Sequence, residues 1–186
     1  AMITRGCMDN PKVDYVFGLH MDPAIECGTI RSKSNSFNAS SDVIEIIVKG
    51  KKSHGASPEQ GIDAIYVASN IVVSLQSLIS RRISAHDSAV LTIGKIKGGT
   101  ATNVIADEVR MSAMLRTTTP IVRKQLREWI EKTVKLTAEA NNATSSVNFY
   151  PGYAAIINDK ECTDLIEAVS KELLGDNAYQ TVEYPF

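Results

Sequence analysis

Four side chains in this sequence have the types and positions to do chemistry: His20, His54, Asn103 and Arg116. His54 lies in the stretch KSHGASP, whose small residues leave an imidazole ring accessible. Such a ring can donate a hydrogen bond to an oxyanion or a substrate carboxylate, or it can be an ordinary loop histidine. His20 ends the run VDYVFGLH. A histidine at the end of a buried strand is either a metal ligand or a hydrogen-bonded strand-end residue.

Asn103 and Arg116 belong to the same part of the chain as His54. Asn103 lies in the small-residue loop GGTATNVIAD, where its amide either orients a carbonyl or carboxylate or simply fixes a tight turn. Arg116 lies in MLRTT, where its guanidinium either clamps a carboxylate or stands exposed at a strand end. The histidine, the amide and the guanidinium all favour an anionic or carbonyl-bearing ligand, and none of them is a good nucleophile.

The elements that must position these side chains follow the order β-α-β-β-α-β. A β-branched run predicts a strand at 42–50, and further strands are predicted at 89–99, 108–118 and 145–153. Apolar residues at three- and four-residue steps predict helices from Ile62 onward and from Thr119 to about Asn141. Thr119 followed by Pro120 is typical of a helix start. This order predicts an α+β, ferredoxin-like domain: a four-stranded antiparallel sheet with two helices on one face.

The flanking residues do not form a domain of their own. They contain a predicted buried strand at 13–20, a short strand at 28–30, a polar connector at 31–41 and a further helix capped by Asn158 or Asp159. We interpret them as two pieces of a larger domain.

Composition excludes several classes of function. The chain has 186 residues, 44% of them hydrophobic, and a net charge of −1, so a broad nucleic-acid or anionic-membrane surface is not expected. No apolar run approaches the length of a membrane span, and the first residues show no signal-peptide core. Three widely spaced cysteines indicate free thiols in a cytoplasmic protein and do not make a zinc site by themselves.

Six motifs occur in an order that resembles one known family: VDYVFGLHMDP, GTI, IIVKGKKSHGASPEQGIDAI, AVLTIGKIKGGTATNVIADE, LRTTTPIVR and GYAAIINDKE. They resemble the dinuclear-metal amidohydrolases of the aminoacylase and glutamate-carboxypeptidase family. Within it, they are most similar to the branch that contains hippurate, auxin-conjugate and aminobenzoyl-glutamate hydrolases.

The resemblance implies an inserted lid, or dimerisation, domain at 38–150, with partial catalytic-domain segments at 1–37 and 151–186. It implies that His20 is a metal ligand and that His54 reaches across a homodimer to support the scissile carbonyl. It also implies that Asn103 and Arg116 contact the carboxylate side of the substrate. The cofactors it implies are two divalent metal ions, usually zinc, or manganese, cobalt or nickel in some members.

The implied activity is hydrolysis of the amide bond of N-acyl amino acids or related conjugates, with a glutamate as general base. The resemblance places the remaining metal ligands upstream of Ala1 and downstream of Phe186, so we expect this chain to bind metal poorly and to be inactive alone. Ala106, where the family commonly has proline, leaves the substrate class open. The alternative is a non-catalytic βαββαβ module for dimerisation or small-molecule binding. An RNA-binding domain of this topology is disfavoured, because the strand VRMSAMLRT has no aromatic residue.

Overall fold

The computed structural model describes residues 2–183. Its strands are β1 (Ile30–Ser32), β2 (Asn35–Asn38), β3 (Asp42–Lys49), β4 (Ser53–His54), β5 (Ala89–Gly98), β6 (Val104–Ile105), β7 (Glu108–Thr117), β8 (Thr144–Pro151), β9 (Ile156–Asn158) and β10 (Tyr179–Thr181). Its α-helices are α1 (Ala64–Arg82), α2 (Pro120–Glu139) and α3 (Lys160–Leu174), and short 3-10 turns lie at Ile3–Arg5, Pro58–Gln60 and Asp176–Ala178.

The central feature is a four-stranded antiparallel sheet in the order β5-β7-β3-β8. Alternate residues of its strands are buried beneath α1 and α2, which pack on one face of the sheet and against each other. The core joins aliphatic residues of the strands to the apolar stripes of both helices, such as Ile44, Ile71 and Leu126. The predicted ferredoxin-like α+β fold is therefore confirmed.

The helix predicted from Ile62 begins two residues later, at Ala64, and α2 begins at Pro120, as its Thr–Pro pair indicates. The Asp63 carboxylate accepts hydrogen bonds from the backbone N–H groups of Ile65 and Tyr66, and caps α1. The Thr119 hydroxyl accepts from the Val122 N–H at the start of α2, where Pro120 occupies the first turn.

A buried ion pair fixes α2 to the start of β3. The Arg123 guanidinium donates two hydrogen bonds of 2.7 and 2.8 Å to the carboxylate of Asp42, whose side chain is fully buried. The hydrogen bonds that Arg123 donates to the Asp42 carboxylate raise the pKa of Arg123 above its ordinary value. Beside this pair, the Ser40 and Thr117 hydroxyls form a buried hydrogen bond of 2.7 Å.

The chain divides into two compact units. Of the described residues, one unit comprises 2–35 and 158–183, and the other comprises 36–157. Within the first unit, β1 pairs in parallel with β10. Its helix α3 is capped by Asp159, which accepts from the Cys162 N–H. The assignment of 1–37 and 151–186 to a catalytic domain stays a prediction.

Two predictions for the flanking residues are wrong. Residues 13–20 form no strand, and Val16 and Leu19 are 70% and 86% exposed. A buried strand needs neighbours for its backbone N–H and C=O groups, and among residues 2–183 none pairs with this segment in a ladder. The short strand expected at 28–30 begins only at Ile30, and the supposed connector at 31–41 contains β2.

None of the helices within residues 2–183 is both long and apolar enough to cross a membrane.

Candidate functional site

His54 is held on a short extension beyond the end of the main sheet. Gly50 donates its N–H to the Asp107 carbonyl at this end, and the chain then continues to β4. β4 pairs with β6, so that His54 lies opposite Val104. This ladder presents the exposed His54 from hydrogen-bonded backbone rather than from a free loop.

The backbone after His54 determines which ring nitrogen carries the proton. The Ala56 N–H donates to Nδ1 of His54 at 3.1 Å, so Nδ1 must offer a lone pair. In the neutral imidazole the proton therefore lies on Nε2. Nε2 has no partner among residues 2–183, and it is a hydrogen-bond donor available to a ligand. A neutral N–H donor of this kind can stabilise charge on a carbonyl oxygen.

Asn103 lies beside His54. The Gly55 N–H donates to the Asn103 carbonyl at 2.7 Å. A Cβ on Gly55 would come within 3.1 Å of the Asn103 carbonyl carbon and oxygen, so the two backbones are in close contact. The Asn103 side chain is exposed and makes no hydrogen bond with residues 2–183. The structure thus places an exposed ring N–H and an exposed amide on adjoining backbone segments.

Arg116 lies at the opposite end of the sheet. Glu108 pairs with Lys49 at the end that leads to His54, whereas Arg116 pairs with Val90 near the other end of β7. The eight residue steps from Glu108 to Arg116 cover about 26 Å along the strand. The guanidinium is half-buried and makes no ion pair with residues 2–183. Within one chain, the structure does not bring Arg116 together with His54 and Asn103.

His20 is exposed in the irregular segment that was predicted to be a strand. Its Nδ1 lies 2.6 Å from the Met21 carbonyl oxygen, which can only accept, so Nδ1 donates and Nε2 keeps its lone pair. Histidine ligands commonly have this arrangement. However, the part of the chain that the structure describes contains no group of three or more His, Cys, Asp or Glu residues able to hold a metal ion. The residues present do not fit a two-metal site.

The backbone groups that fix His54 were not predicted from the sequence. Each strand of the β4–β6 ladder has two residues, which is too few to show an alternation of apolar and polar side chains. The Ala56 N–H is a backbone group, so no residue type in the sequence marks its contact. The small residues around His54 were the available signal, because they allow the close approach of Gly55 to Asn103.

The four-stranded antiparallel sheet with two helices on one face, extended by the β4–β6 ladder that carries His54, defines an α+β domain of the ferredoxin-like class. A family model described as the peptidase dimerisation domain matches residues 24–142. The chain therefore belongs to the M20 peptidase dimerisation domain family. Domains of this family associate with a second copy of themselves. The resemblance inferred from the motifs is confirmed.

Similar proteins of known name are hydrolases. Hippurate hydrolase from Campylobacter jejuni is 36% identical over 95% of this chain and 46% of its own length. An IAA-amino acid hydrolase ILR1-like 2 from Arabidopsis thaliana is 34% identical over 96% of this chain and 40% of its own length. The chain spans about half the length of the curated relatives it matches.

Solved structures share the fold. A crystal structure of a Bacillus subtilis protein, described as a dinuclear metal binding peptidase from the M20 family, superposes with a TM-score of 0.74 and 27% identity. The superposition covers 99% of this chain and 44% of that chain.

Proposed function

We propose that this chain is the dimerisation part of a metal-dependent amidohydrolase that cleaves the amide bond of N-acyl amino acids or related conjugates. The observation that carries the proposal is that His54, with its Nε2–H available, and the exposed Asn103 lie on adjoining backbone segments. The chain belongs to a family whose named relatives are hydrolases. The His54 N–H would donate to the scissile carbonyl oxygen as charge develops there. The Asn103 amide would orient the substrate, and the Arg116 guanidinium would bind its carboxylate.

The separation of Arg116 from His54 makes the proposal specific. One N-acyl amino acid is too short to span an offset of about 26 Å. Each active site would therefore combine His54 and Asn103 of one copy with Arg116 of another copy. A domain that self-associates supplies this second copy.

The metal ions belong to the proposal for the whole protein. We expect two divalent ions, with zinc as the main candidate and manganese, cobalt or nickel as the alternatives. We propose His20 as one of their ligands. Because the described residues offer no further ligand cluster, this chain alone is expected to be inactive. We also propose a cytoplasmic location, supported by the three free cysteines.

The test is an assay of the whole protein that carries this chain. We would measure hydrolysis of hippurate, N-acetyl amino acids and aminobenzoyl-glutamate for the wild type and for His54→Ala, with and without a chelator. The proposal expects chelator-sensitive turnover that falls by about 100-fold or more in His54→Ala, while the fold and dimer are kept. His86→Ala is the matched control, because His86 is exposed and lies in another loop.

Turnover that is unaffected by His54→Ala would remove the proposed role of this residue but leave the enzyme. No turnover with metals supplied would favour the alternative, a non-catalytic module for dimerisation or small-molecule binding.

We place the self-association surface on α1 and the neighbouring edge strand β5. From Ala64 to Ser80, α1 has no charged residue, and its exposed face includes Tyr66 and Val73, which are 59% and 72% exposed. The exposed face of α2 is charged instead, with Lys124, Glu128, Glu131, Lys132 and Lys135. Depletion of charge is typical of the centre of an interface.

The edge strand adds backbone groups to this surface. α1 packs over β5, whose outer edge pairs with no other strand among residues 2–183, whereas α2 packs over the opposite edge strand β8. An unpaired edge can extend a sheet by pairing with a second copy. The uncharged face of α1 and the edge of β5 therefore lie on the same side of the domain.

Val73→Lys would place a charge in this surface and is expected to shift the dimer toward monomer. Leu136→Lys is the matched control, because Leu136 is a 52% exposed apolar residue on α2. Sedimentation velocity over a dilution series measures both. Dissociation by Leu136→Lys but not by Val73→Lys would move the interface to the α2 side.

A further inference from the structure

The sheet face that is not covered by helices has an apolar patch around Arg116. Strand register places Met114 in one row with Val43 on β3 and Tyr150 on β8, and places Val90 directly opposite Arg116. The intervening residues Ile44, Ala113 and Leu115 are buried on the helix side, so the patch residues point to the other face. Their side chains are between 36% and 55% exposed.

Arg116 lies within this patch. Val90 is its cross-strand neighbour, Met114 precedes it by two residues on the same face of β7, and Val43 is its diagonal neighbour. Cross-strand neighbours on one face have Cβ atoms about 5 Å apart. The guanidinium has no carboxylate partner among residues 2–183, because Glu45, on the same face, lies opposite Ser112 and therefore four residues away along β7. A half-buried cation among apolar side chains is complementary to an anion that carries an apolar group.

We propose that the patch formed by Val43, Val90, Met114 and Tyr150 selects substrates whose amino acid has an apolar side chain. The inference rests on the proposed hydrolase function and specifies its substrate class. Arg116 would bind the carboxylate of the amino acid with parallel hydrogen bonds. The side chain on the adjacent carbon would then lie over Met114 and Val43, where it buries apolar surface. A charged side chain would be desolvated there without a partner.

The test compares kcat/KM of the whole protein for N-acetyl-leucine, N-acetyl-glycine, N-acetyl-aspartate and N-acetyl-leucinamide. The wild type is expected to favour N-acetyl-leucine over N-acetyl-glycine by at least about 10-fold, and N-acetyl-aspartate is expected to be the poorest of the acids. Met114→Ala should reduce the leucine-to-glycine ratio several-fold. Ile47→Ala is the matched control, since Ile47 lies on the same face but pairs with Arg110, far from Arg116.

Arg116→Gln tests the carboxylate contact separately. It should lower kcat/KM for N-acetyl-leucine by about 10-fold or more and leave that for N-acetyl-leucinamide nearly unchanged, since the amide lacks the charge that Arg116 binds. An equal loss for both compounds would show that Arg116 is structural and would overturn the inference.

The remaining outcomes separate this inference from the proposed function. Turnover with the same leucine-to-glycine ratio in the wild type and in Met114→Ala overturns the selectivity and leaves the hydrolase intact. If no compound is hydrolysed, the proposed function fails. The Met114 methyl NMR signal of the whole protein then tests whether the patch binds an apolar side chain. A shift with N-acetyl-leucine but not with N-acetyl-glycine supports it, and no shift overturns it. Met114→Ala that weakens the dimer instead would make the patch a protein interface and would also overturn it.

Discussion

The three histidines of the chain differ in what their ring nitrogens contact. His54 Nδ1 accepts from the Ala56 N–H, whereas His20 Nδ1 faces the Met21 carbonyl oxygen and must donate. The ring of His86 makes no hydrogen bond with residues 2–183. Neutral His54 should therefore carry its proton on Nε2, neutral His20 on Nδ1, and His86 should show a mixture.

Nitrogen-15 spectra of the histidine rings at about pH 8, above the ordinary titration range of imidazole, measure these tautomers. His86 is the internal reference for an unconstrained ring. If His54 shows its proton on Nδ1, then the Ala56 contact does not form in solution, and the oriented Nε2–H donor of the proposed mechanism is lost.

The buried pair of Asp42 and Arg123 should be one of the more sensitive points in the fold. Asp42→Ala leaves the partly buried guanidinium without its two hydrogen bonds, so we expect a loss of about 3–5 kcal/mol in the free energy of unfolding. Glu139→Ala removes the exposed pair with Lys135, at 3.9 Å, and should change stability by less than about 0.5 kcal/mol. Urea unfolding of both variants compares them. Equal effects would mean that the Asp42 pair is solvated in solution.

The strands and helices of the four-stranded domain could be predicted because each has a local signal. β3 and β7 are rich in aliphatic residues, and α2 begins at a Thr–Pro pair whose hydroxyl does cap the helix. Residues 13–20 have the same apolar composition as a buried strand, yet they form none, because a strand depends on partners that composition does not reveal. The β4–β6 ladder was missed for the opposite reason, since its strands are too short to carry a pattern.

Gly50 connects the main sheet to the extension that carries His54. A Cβ on Gly50 would overlap the Ile62 carbonyl oxygen, which accepts a hydrogen bond from the Lys51 N–H. We therefore expect Gly50→Ala to lower the free energy of unfolding by about 1–3 kcal/mol and to disturb the His54 ring signals. Gly94→Ala is the control, because a Cβ there meets no atom within 4 Å. A Gly50→Ala variant as stable as Gly94→Ala would show that the backbone around Gly50 can shift with little loss of stability.

The sequence indicates four candidate residues, but it does not indicate how far apart they lie in the fold. Loop and strand-end positions are equally compatible with one site or with two. The register of β7 shows that Arg116 lies nearly the whole length of the sheet away from the end that leads to His54. In the proposed mechanism, catalysis would therefore depend on assembly, because a single copy would offer either His54 or Arg116 to a given substrate, but not both.

Co-expression of His54→Ala and Arg116→Gln chains tests this shared arrangement. Each variant alone should be nearly inactive. In mixed dimers, one site receives an intact His54 from one copy and an intact Arg116 from the other, whereas the second site has both defects. Random pairing should restore about a quarter of the wild-type turnover. The control co-expresses wild type with a chain that carries both substitutions, whose mixed dimers have no intact site. If the His54→Ala and Arg116→Gln mixture recovers nothing while mixed dimers form, both residues serve the same copy, and the arrangement of sites across the dimer is wrong.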